Sequence, residues 1–267
     1  MAEERVVVRV EVPTREAELA ADAMWEAGAS AVAEVPSGPG LVLLTAEVLD
    51  LGAVGGRWGA QAVPVDDSVL DAWRAHARPV RAGRRVVLHP AWLPIEAVAA
   101  DDVVVVLDPG RAFGSGSHPA TRLAVAAIEA HGPGDRVLDV GCGSGVLAVV
   151  AARLGSRHVT AVDVDPEAVR ATAANAAANG VADRIDPSLG PLGEVTGAFD
   201  LVVANIGQRV LVELAPDLLA LAAPGGTLVL SGLLADQVPA VVAAYPGADE
   251  VACGEEDGWA APVLRRR

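Results

Sequence analysis

The fold of this chain is decided by the stretch Val137-Leu138-Asp139-Val140-Gly141-Cys142-Gly143-Ser144-Gly145. An apolar strand runs into a loop with glycine at every second position, and a helix is predicted to follow. Glycine allows sharp backbone turns and lets a ligand lie against bare main chain. The N-terminus of the following helix presents unpaired N–H groups and a partial positive charge. The stretch therefore favours a nucleotide-like ligand at the carboxyl end of the strand, and a packing turn without a ligand is the alternative.

The glycine spacing narrows the ligand class. A dinucleotide-binding loop reads G-x-G-x-x-G, whereas Gly141, Gly143 and Gly145 give G-x-G-x-G, with Asp139 two residues before them. This pattern resembles that of the class I S-adenosylmethionine-dependent methyltransferases. The resemblance implies that Asp139 and the three glycines line a site for S-adenosylmethionine. A nicotinamide or flavin cofactor is the alternative ligand.

A second acidic position follows the next predicted strand. Asp163 ends the strand His158–Asp163, where a carboxylate can accept hydrogen bonds from both hydroxyls of a ribose; a turn or capping role is the alternative. Asp165 and Pro166 are predicted to open the next helix as its cap and first residue. The segment Asp186–Leu189 is placed to lie along the edge of an adenine.

Strand and helix patterns alternate through residues 109–267, which predicts an α/β domain with a Rossmann-like parallel sheet. The strands are apolar without alternation, as expected where both faces of a sheet are buried. Besides those above, the predicted elements are the strands Arg136–Val140, Phe199–Asn205 and Thr227–Ser231 and the helices Val146–Leu154, Glu167–Asn179 and Val210–Ala222.

The first part of the chain has a different organisation. Residues 1–66 read as βαββαβ, which predicts a small ferredoxin-like α+β domain. Residues 67–108 form a predicted linker and pre-domain segment, with a helix over Ser68–Ala77 and a strand over Val103–Leu107. Four arginines between Arg78 and Arg85 make either a solvated basic face or a local positive patch.

Composition restricts the partners. The 267 residues carry 20 basic and 35 acidic side chains, a formal charge of −15, and every basic residue is arginine. This balance argues against binding to nucleic-acid phosphates and favours a basic or small-molecule partner. Cys142 and Cys253 form neither a disulfide framework nor a zinc site, which fits the reducing cytoplasm. No signal peptide is recognised at the N-terminus and no apolar run is long enough for a membrane span.

Asn205 is the candidate residue for contact with the group that accepts the methyl. It ends the strand Phe199–Asn205, and its amide oxygen can accept a hydrogen bond from an incoming amine. Methyl transfer from a sulfonium needs a neutral lone pair held in line more than it needs a strong base. A strand-end turn residue is the alternative interpretation.

The glycine-rich segment Phe113–Arg122 precedes a helix predicted to start near Pro119. It contains His118, for which a solvated loop position is expected ahead of a role as ligand or base. No second His or Cys stands at metal-ligand spacing, so no metal is predicted.

These segments together carry a more specific resemblance. Phe113-Gly114-Ser115-Gly116-Ser117-His118-Pro119-Ala120-Thr121, the loop Asp139–Gly145 and Val203-Ala204-Asn205-Ile206 are similar to the PrmA-type methyltransferases, which modify amines on large-subunit ribosomal protein eleven. The resemblance implies that Thr121, Gly141, Asp163 and Asn205 contact S-adenosylmethionine and that Asn205 also faces the substrate amine. It further implies that the N-terminal module recognises the substrate.

The predicted function is an S-adenosylmethionine-dependent protein N-methyltransferase of the cytoplasm. It would act on lysine or N-terminal amines of a basic protein, a large-subunit ribosomal protein by the resemblance, without membrane or nucleic-acid partners. A methyltransferase of another protein, a small molecule or RNA on the same fold is the alternative. A cofactor-binding scaffold without catalysis and a dehydrogenase remain as other classes.

Overall fold

The structure is a computed structural model, and it describes residues 6–27, 32–48, 56–63, 77–95, 98–108, 116 and 118–267. The chain divides into two compact units, Met1–His76 and Ala77–Arg267. The predicted domain boundary after residue 66 falls outside the described residues, as does nearly all of the predicted helix Ser68–Ala77.

The first unit is built on an antiparallel sheet with the strand order β2-β3-β1-β4. Alternate residues of β1 (Val8, Val10 and Val12) are buried together with Leu44 of β3 and Met24 of α1. The second helix of the predicted βαββαβ pattern, near Asp50–Trp58, is described only over residues 56–58, which are helical, so the ferredoxin-like assignment stays a prediction. The elements are β1 (Val6–Pro13), α1 (Ala17–Glu26), β2 (Val32–Gly38), β3 (Leu41–Val48) and β4 (Gln61–Val63).

The second unit begins with a small sheet of β5 (Val80–Arg81), β6 (Val86–Pro90) and β7 (Val103–Leu107). Strand β6 pairs with β5 in antiparallel and with β7 in parallel. The arginines near this sheet are partly neutralised, because Arg81 makes an ion pair with Asp102 and Arg85 makes one with Glu129.

The large sheet has the order β10-β9-β8-β11-β12-β15-β13, with β14 paired to β15. Strands β10, β9, β8, β11 and β12 run parallel, and β15 runs antiparallel to β12. The strands are β8 (Arg136–Val140), β9 (His158–Asp163), β10 (Ile185–Leu189), β11 (Phe199–Asn205), β12 (Ala222–Ser231), β13 (Leu233–Leu234), β14 (Ala248–Glu256) and β15 (Trp259–Arg266).

Helices cover both faces of this sheet, as the apolar strands require. Helices α2 (Pro119–His131), α3 (Val146–Arg153) and α4 (Pro166–Ala178) contribute to one buried cluster. Helices α5 (Gln208–Glu213), α6 (Ala215–Leu221) and α7 (Val238–Ala243) contribute to the other. The α/β fold with a Rossmann-like sheet is therefore confirmed. No helix in the described ranges is long and apolar enough to cross a membrane.

Two predictions about the C-terminal half are wrong. The single helix predicted over Val210–Ala222 is two helices, which meet at Leu214 because Pro216, at the start of α6, cannot donate a backbone hydrogen bond. The strand predicted over Thr227–Ser231 already begins at Ala222. The antiparallel pair β14 and β15 was not predicted at all, although its turn residues Asp257 and Gly258 both have positive φ, which is typical of a tight hairpin.

Candidate functional site

The carboxyl ends of adjacent strands bring the predicted polar residues to one edge of the sheet. Val140 of β8 is in register with Val162, one residue before Asp163 on β9. On the other side, Val140 is in register with Ala204, one residue before Asn205 on β11. The loop that follows β8 therefore lies between the strand ends that carry Asp163 and Asn205.

The glycine loop is shaped by positive φ angles of 68° at Gly141, 53° at Gly143 and 76° at Gly145. At Gly141 a Cβ would lie 2.6 Å from Cγ2 of Ile206, and at Gly145 it would lie 2.7 Å from Oγ1 of Thr172. Gly141 and Gly145 are therefore required both by backbone conformation and by close packing within the protein, and Gly143 by its backbone conformation.

Asp139 lies buried beneath this loop. Its Oδ2 accepts a hydrogen bond of 2.9 Å from the backbone N–H of Ala148 in the first turn of α3. Its Oδ1 is buried and has no hydrogen-bond partner among the described residues. Burial raises the pKa of Asp139 to about 7, and the nearby charge of Asp163 adds to the rise.

Asp163 ties the glycine loop to the end of β9. Its Oδ2 accepts a hydrogen bond of 2.9 Å from the N–H of Gly143, and its Oδ1 accepts one of 3.0 Å from the N–H of Asp165. A carboxylate offers about four acceptor sites, so capacity for a ligand remains. Asp165 caps α4 through the N–H of Glu167, with Pro166 at the start of the helix, and that prediction is confirmed.

Thr121 and Asn205 meet across the site. The Nδ2 of Asn205 donates to Oγ1 of Thr121 at 3.3 Å, which leaves Oδ1 as the acceptor end of the amide. Beside them, the hydroxyl of Ser231 donates to the carbonyl of Ala120 at 2.9 Å. The first turn of α2 is thus bonded to the ends of both β11 and β12.

The expectation that His118 is a solvated loop residue is wrong. His118 caps α2, with its Nδ1 accepting from the N–H of Ala120, and its ring meets the edge of Trp259 with centroids 4.5 Å apart. Burial, and secondly the charge of Arg122, lowers the pKa of His118 to about 4. Arg122 in turn pairs with Glu256 at 2.7 Å. The turn residues Asp257 and Gly258 could have indicated the hairpin that brings Trp259 next to His118.

The segment predicted to lie along an adenine is strand β10, which ends at Leu189. Leu189 is 56% exposed and Val164, next to Asp163, is 76% exposed. Two apolar side chains therefore stand open to solvent beside the candidate ribose-binding carboxylate. Within the described residues, no group of three or more His, Cys, Asp and Glu side chains could hold a metal ion.

The strand order and the glycine loop after β8 define the class: this is the fold of the class I S-adenosylmethionine-dependent methyltransferases. The sequence model of the family described as "Ribosomal protein L11 methyltransferase (PrmA)" matches residues 59–267. The chain belongs to this family. The match leaves residues 1–58 of the first unit outside.

Named relatives agree with this assignment. The ribosomal protein L11 methyltransferase of Geobacter sp. (strain M21) is 45% identical over 201 residues, which are 73% of this chain and 65% of the relative. That of Pelotomaculum thermopropionicum is 46% identical over 204 residues, 75% of this chain and 66% of the relative. The match thus spans about two thirds of the length of these relatives.

A solved structure is also similar. The crystal structure of a ribosomal protein L11 methylase from Lactobacillus delbrueckii subsp. bulgaricus superposes with a TM-score of 0.66 and 33% sequence identity. The superposition covers 72% of this chain and all of that one.

Proposed function

We propose that this protein transfers methyl groups from S-adenosylmethionine to amines of ribosomal protein L11, on lysine side chains or the N-terminus. The names of its relatives support the substrate. The observation that carries the chemistry is the amide of Asn205, which gives its N–H to Thr121 and keeps its oxygen for an acceptor amine.

The residues around the glycine loop fit this cofactor. The buried Oδ1 of Asp139 has no partner among the described residues, and a second carboxylate, Asp163, stands beside it. A cationic sulfonium cofactor would favour the ionised form of Asp139, whose pKa is about 7, whereas the pyrophosphate of a dinucleotide would be repelled by the two acidic groups. In this proposal Asp163 accepts the ribose hydroxyls, Val164 and Leu189 flank the adenine, and Thr121 and the three glycines contact the rest.

S-adenosylmethionine supplies an electrophilic methyl group on its sulfonium. The protein has to present a neutral amine in line with that group. Deprotonating a lysine with a pKa near 10.4 costs about 4 kcal/mol at neutral pH, and an α-amine costs far less. Asn205 orients the amine, because its Oδ1 accepts a hydrogen bond from the amine N–H and so directs the lone pair. A neutral acceptor does not stabilise the charged, unreactive form as a carboxylate would.

The first unit would recognise the substrate protein. Residues 1–58 precede the family match and contribute three of the four strands of a separate sheet. The formal charge of −15 favours a basic partner through electrostatic complementarity and disfavours direct contact with nucleic acid. Action on a ribosomal protein would place the enzyme in the cytoplasm.

The test is a transfer assay with labelled S-adenosylmethionine and the cognate ribosomal protein L11, with the modified residue located by mass spectrometry. Wild-type enzyme should label an amine. Asn205→Ala should lose the label yet still bind S-adenosylhomocysteine. Arg157→Ala, an exposed change just before the start of β9 and so at the end of the strand opposite Asp163, serves as the control and should label like wild type. Label on another molecule, or none, would overturn the proposed substrate.

A further inference from the structure

Helix α4 presents a row of buried polar side chains to the rest of the second unit. Thr172, Asn175 and Asn179, the residue after the last turn, are each at most 7% exposed. Their spacings of three and four residues place them on one helix face. Buried amides are costly unless they are hydrogen-bonded, so this row requires specific partners.

Asn175 and Asn179 bind β7 and the residue after it in the way a neighbouring strand would. Asn179 accepts from the N–H of Val106 at 2.8 Å and donates to its carbonyl at 2.7 Å. Asn175 makes the same pair with Asp108, at 2.9 Å and 3.0 Å. Four helical residues rise about 6 Å and two strand residues about 6.6 Å, so the two amides match alternate residues of a strand.

The same helix face also holds the glycine loop. The hydroxyl of Thr172 lies 3.1 Å from the carbonyl oxygen of Gly143, to which it donates. The Nδ2 of Asn175 donates to the carbonyl of Ser144 at 2.8 Å. Helix α4 therefore fixes two consecutive peptide groups of the loop through their carbonyls. Because a trans peptide is planar, the N–H of each group then points away from α4.

Asn175 is the residue of this row whose amide bonds both the segment after β7 and the glycine loop. Its amide bonds Asp108, the residue after β7, and Ser144 in the glycine loop, whereas the side-chain amide of Asn179 bonds Val106 and the carbonyl of Asn175. Each amide takes part in three hydrogen bonds, so the two residues are matched in number of bonds. Of the two asparagine amides, the one of Asn175 bonds the glycine loop.

We propose that Asn175 is a positioning residue for cofactor binding, because its amide fixes the Ser144 peptide and with it the shape of the glycine loop. This inference rests on the proposed function, in which that loop binds S-adenosylmethionine. Loss of the amide removes the donor that Asn175 gives to the Ser144 carbonyl, and the Thr172 hydroxyl still holds the neighbouring Gly143 peptide. The effect falls on cofactor affinity, since Asn175 lies beneath the loop and touches no reacting atom.

The experiment compares Asn175→Ala with Asn179→Ala in the full chain. Calorimetric titration gives the Kd for S-adenosylhomocysteine, and urea unfolding gives the stability of each variant. Both variants should unfold at lower urea than wild type. Only Asn175→Ala should raise the Kd, by about tenfold, the factor expected for one buried hydrogen bond. Its KM for S-adenosylmethionine should rise equally, while kcat at saturating cofactor stays near that of wild type.

The outcomes separate this inference from the proposed function. If wild type binds S-adenosylhomocysteine and the two variants weaken it equally or not at all, Asn175 has no special role. If wild type itself does not bind, the proposed function and this inference are both overturned. Should Asn175→Ala not fold, Asn175→Leu takes its place with Asn179→Leu as its control, since leucine has the branched shape of asparagine but gives the Ser144 carbonyl no donor at any pH. An unchanged Kd in that variant also overturns the inference.

Discussion

Asn205 Nδ2 lies 3.3 Å from Thr121 Oγ1, and this bond joins the end of β11 to the first turn of α2. Because the threonine hydroxyl accepts from the amide N–H, the opposite end of the amide is fixed as an acceptor. The hydroxyl group of Thr121 therefore matters more than its shape.

Substitutions of Thr121 should separate the effect of its hydroxyl group from the effect of its shape. Thr121→Val keeps the volume but removes the acceptor, so the Asn205 amide loses its fixed orientation. We expect kcat/KM to fall by about tenfold, equivalent to one hydrogen bond of ~1.4 kcal/mol. Thr121→Ser keeps the hydroxyl and should stay within about threefold of wild type, which steady-state kinetics can check. Equal losses in both variants would mean that packing, and not the hydroxyl, is what Thr121 contributes.

Asp139 should make stability depend on pH. Its pKa of about 7 lies well above the ordinary carboxyl value, so between pH 4 and 7 the folded protein keeps a proton that the unfolded chain has lost. The resulting stabilisation is present at low pH and disappears as the pH rises through 7. Asp139→Asn cannot titrate, and its amide oxygen can still accept from Ala148.

The measurement is urea unfolding of both proteins without cofactor from pH 5 to 8. The stability of wild type relative to Asp139→Asn should fall by about 3 kcal/mol, because two pH units of the range lie below the pKa of about 7. A constant difference between the two proteins would show that Asp139 ionises normally.

His118 should act in the opposite pH direction. Its pKa of about 4 lies below the ordinary histidine value, so the unfolded chain binds a proton that the folded protein does not. This contribution is complete above pH 6.5 and is lost as the pH falls to 4. His118→Asn keeps a capping acceptor for Ala120 without titrating. Thermal unfolding between pH 7 and 4.5 should show wild type losing up to about 3 kcal/mol more than the variant, and parallel curves would contradict the assignment.

Gly145 should tolerate alanine much less than Gly180 does. The two glycines have φ angles of 76° and 66°, but a Cβ at Gly145 would lie 2.9 Å from Cα of Thr172, whereas at Gly180 nothing lies within 4 Å. Gly180→Ala should cost ~1–2 kcal/mol for the left-handed conformation alone, which Gly180 adopts where α4 ends. Gly145→Ala should cost about 1–3 kcal/mol more from the clash. Equal denaturation midpoints would show that the loop adjusts freely around Thr172.

The sequence predicted that the candidate site residues lie close together, largely because parallel strands end at one edge of a sheet. The strands ending at Val140, Asp163 and Asn205 have the predicted bounds, so their last residues had to lie together. The pairing of Asn205 with Thr121 is a tertiary contact across 84 residues, which the family resemblance suggested only as a shared site.

Other features depended on contacts that no local pattern records. The acidic partners of Arg81 and Arg85 lie 21 and 44 residues away in the sequence. The basic cluster therefore could not be recognised as partly neutralised from its own sequence. In the sequence, Thr172, Asn175 and Asn179 are only polar residues of an alanine-rich helix. Their role depends on β7 and the glycine loop, whose packing against α4 the sequence does not show. The hairpin turn at Asp257 and Gly258 was a local signal, and it was missed because the flanking strands do not alternate cleanly.

Methyl transfer to ribosomal protein L11 is tested by the intact mass of the cognate L11 after incubation with the purified enzyme and S-adenosylmethionine. Wild type should add one or more methyl groups to amines, and Asn205→Ala should add none. An unmodified L11 in the presence of enzyme that binds the cofactor, or full methylation by Asn205→Ala, would refute the proposed function.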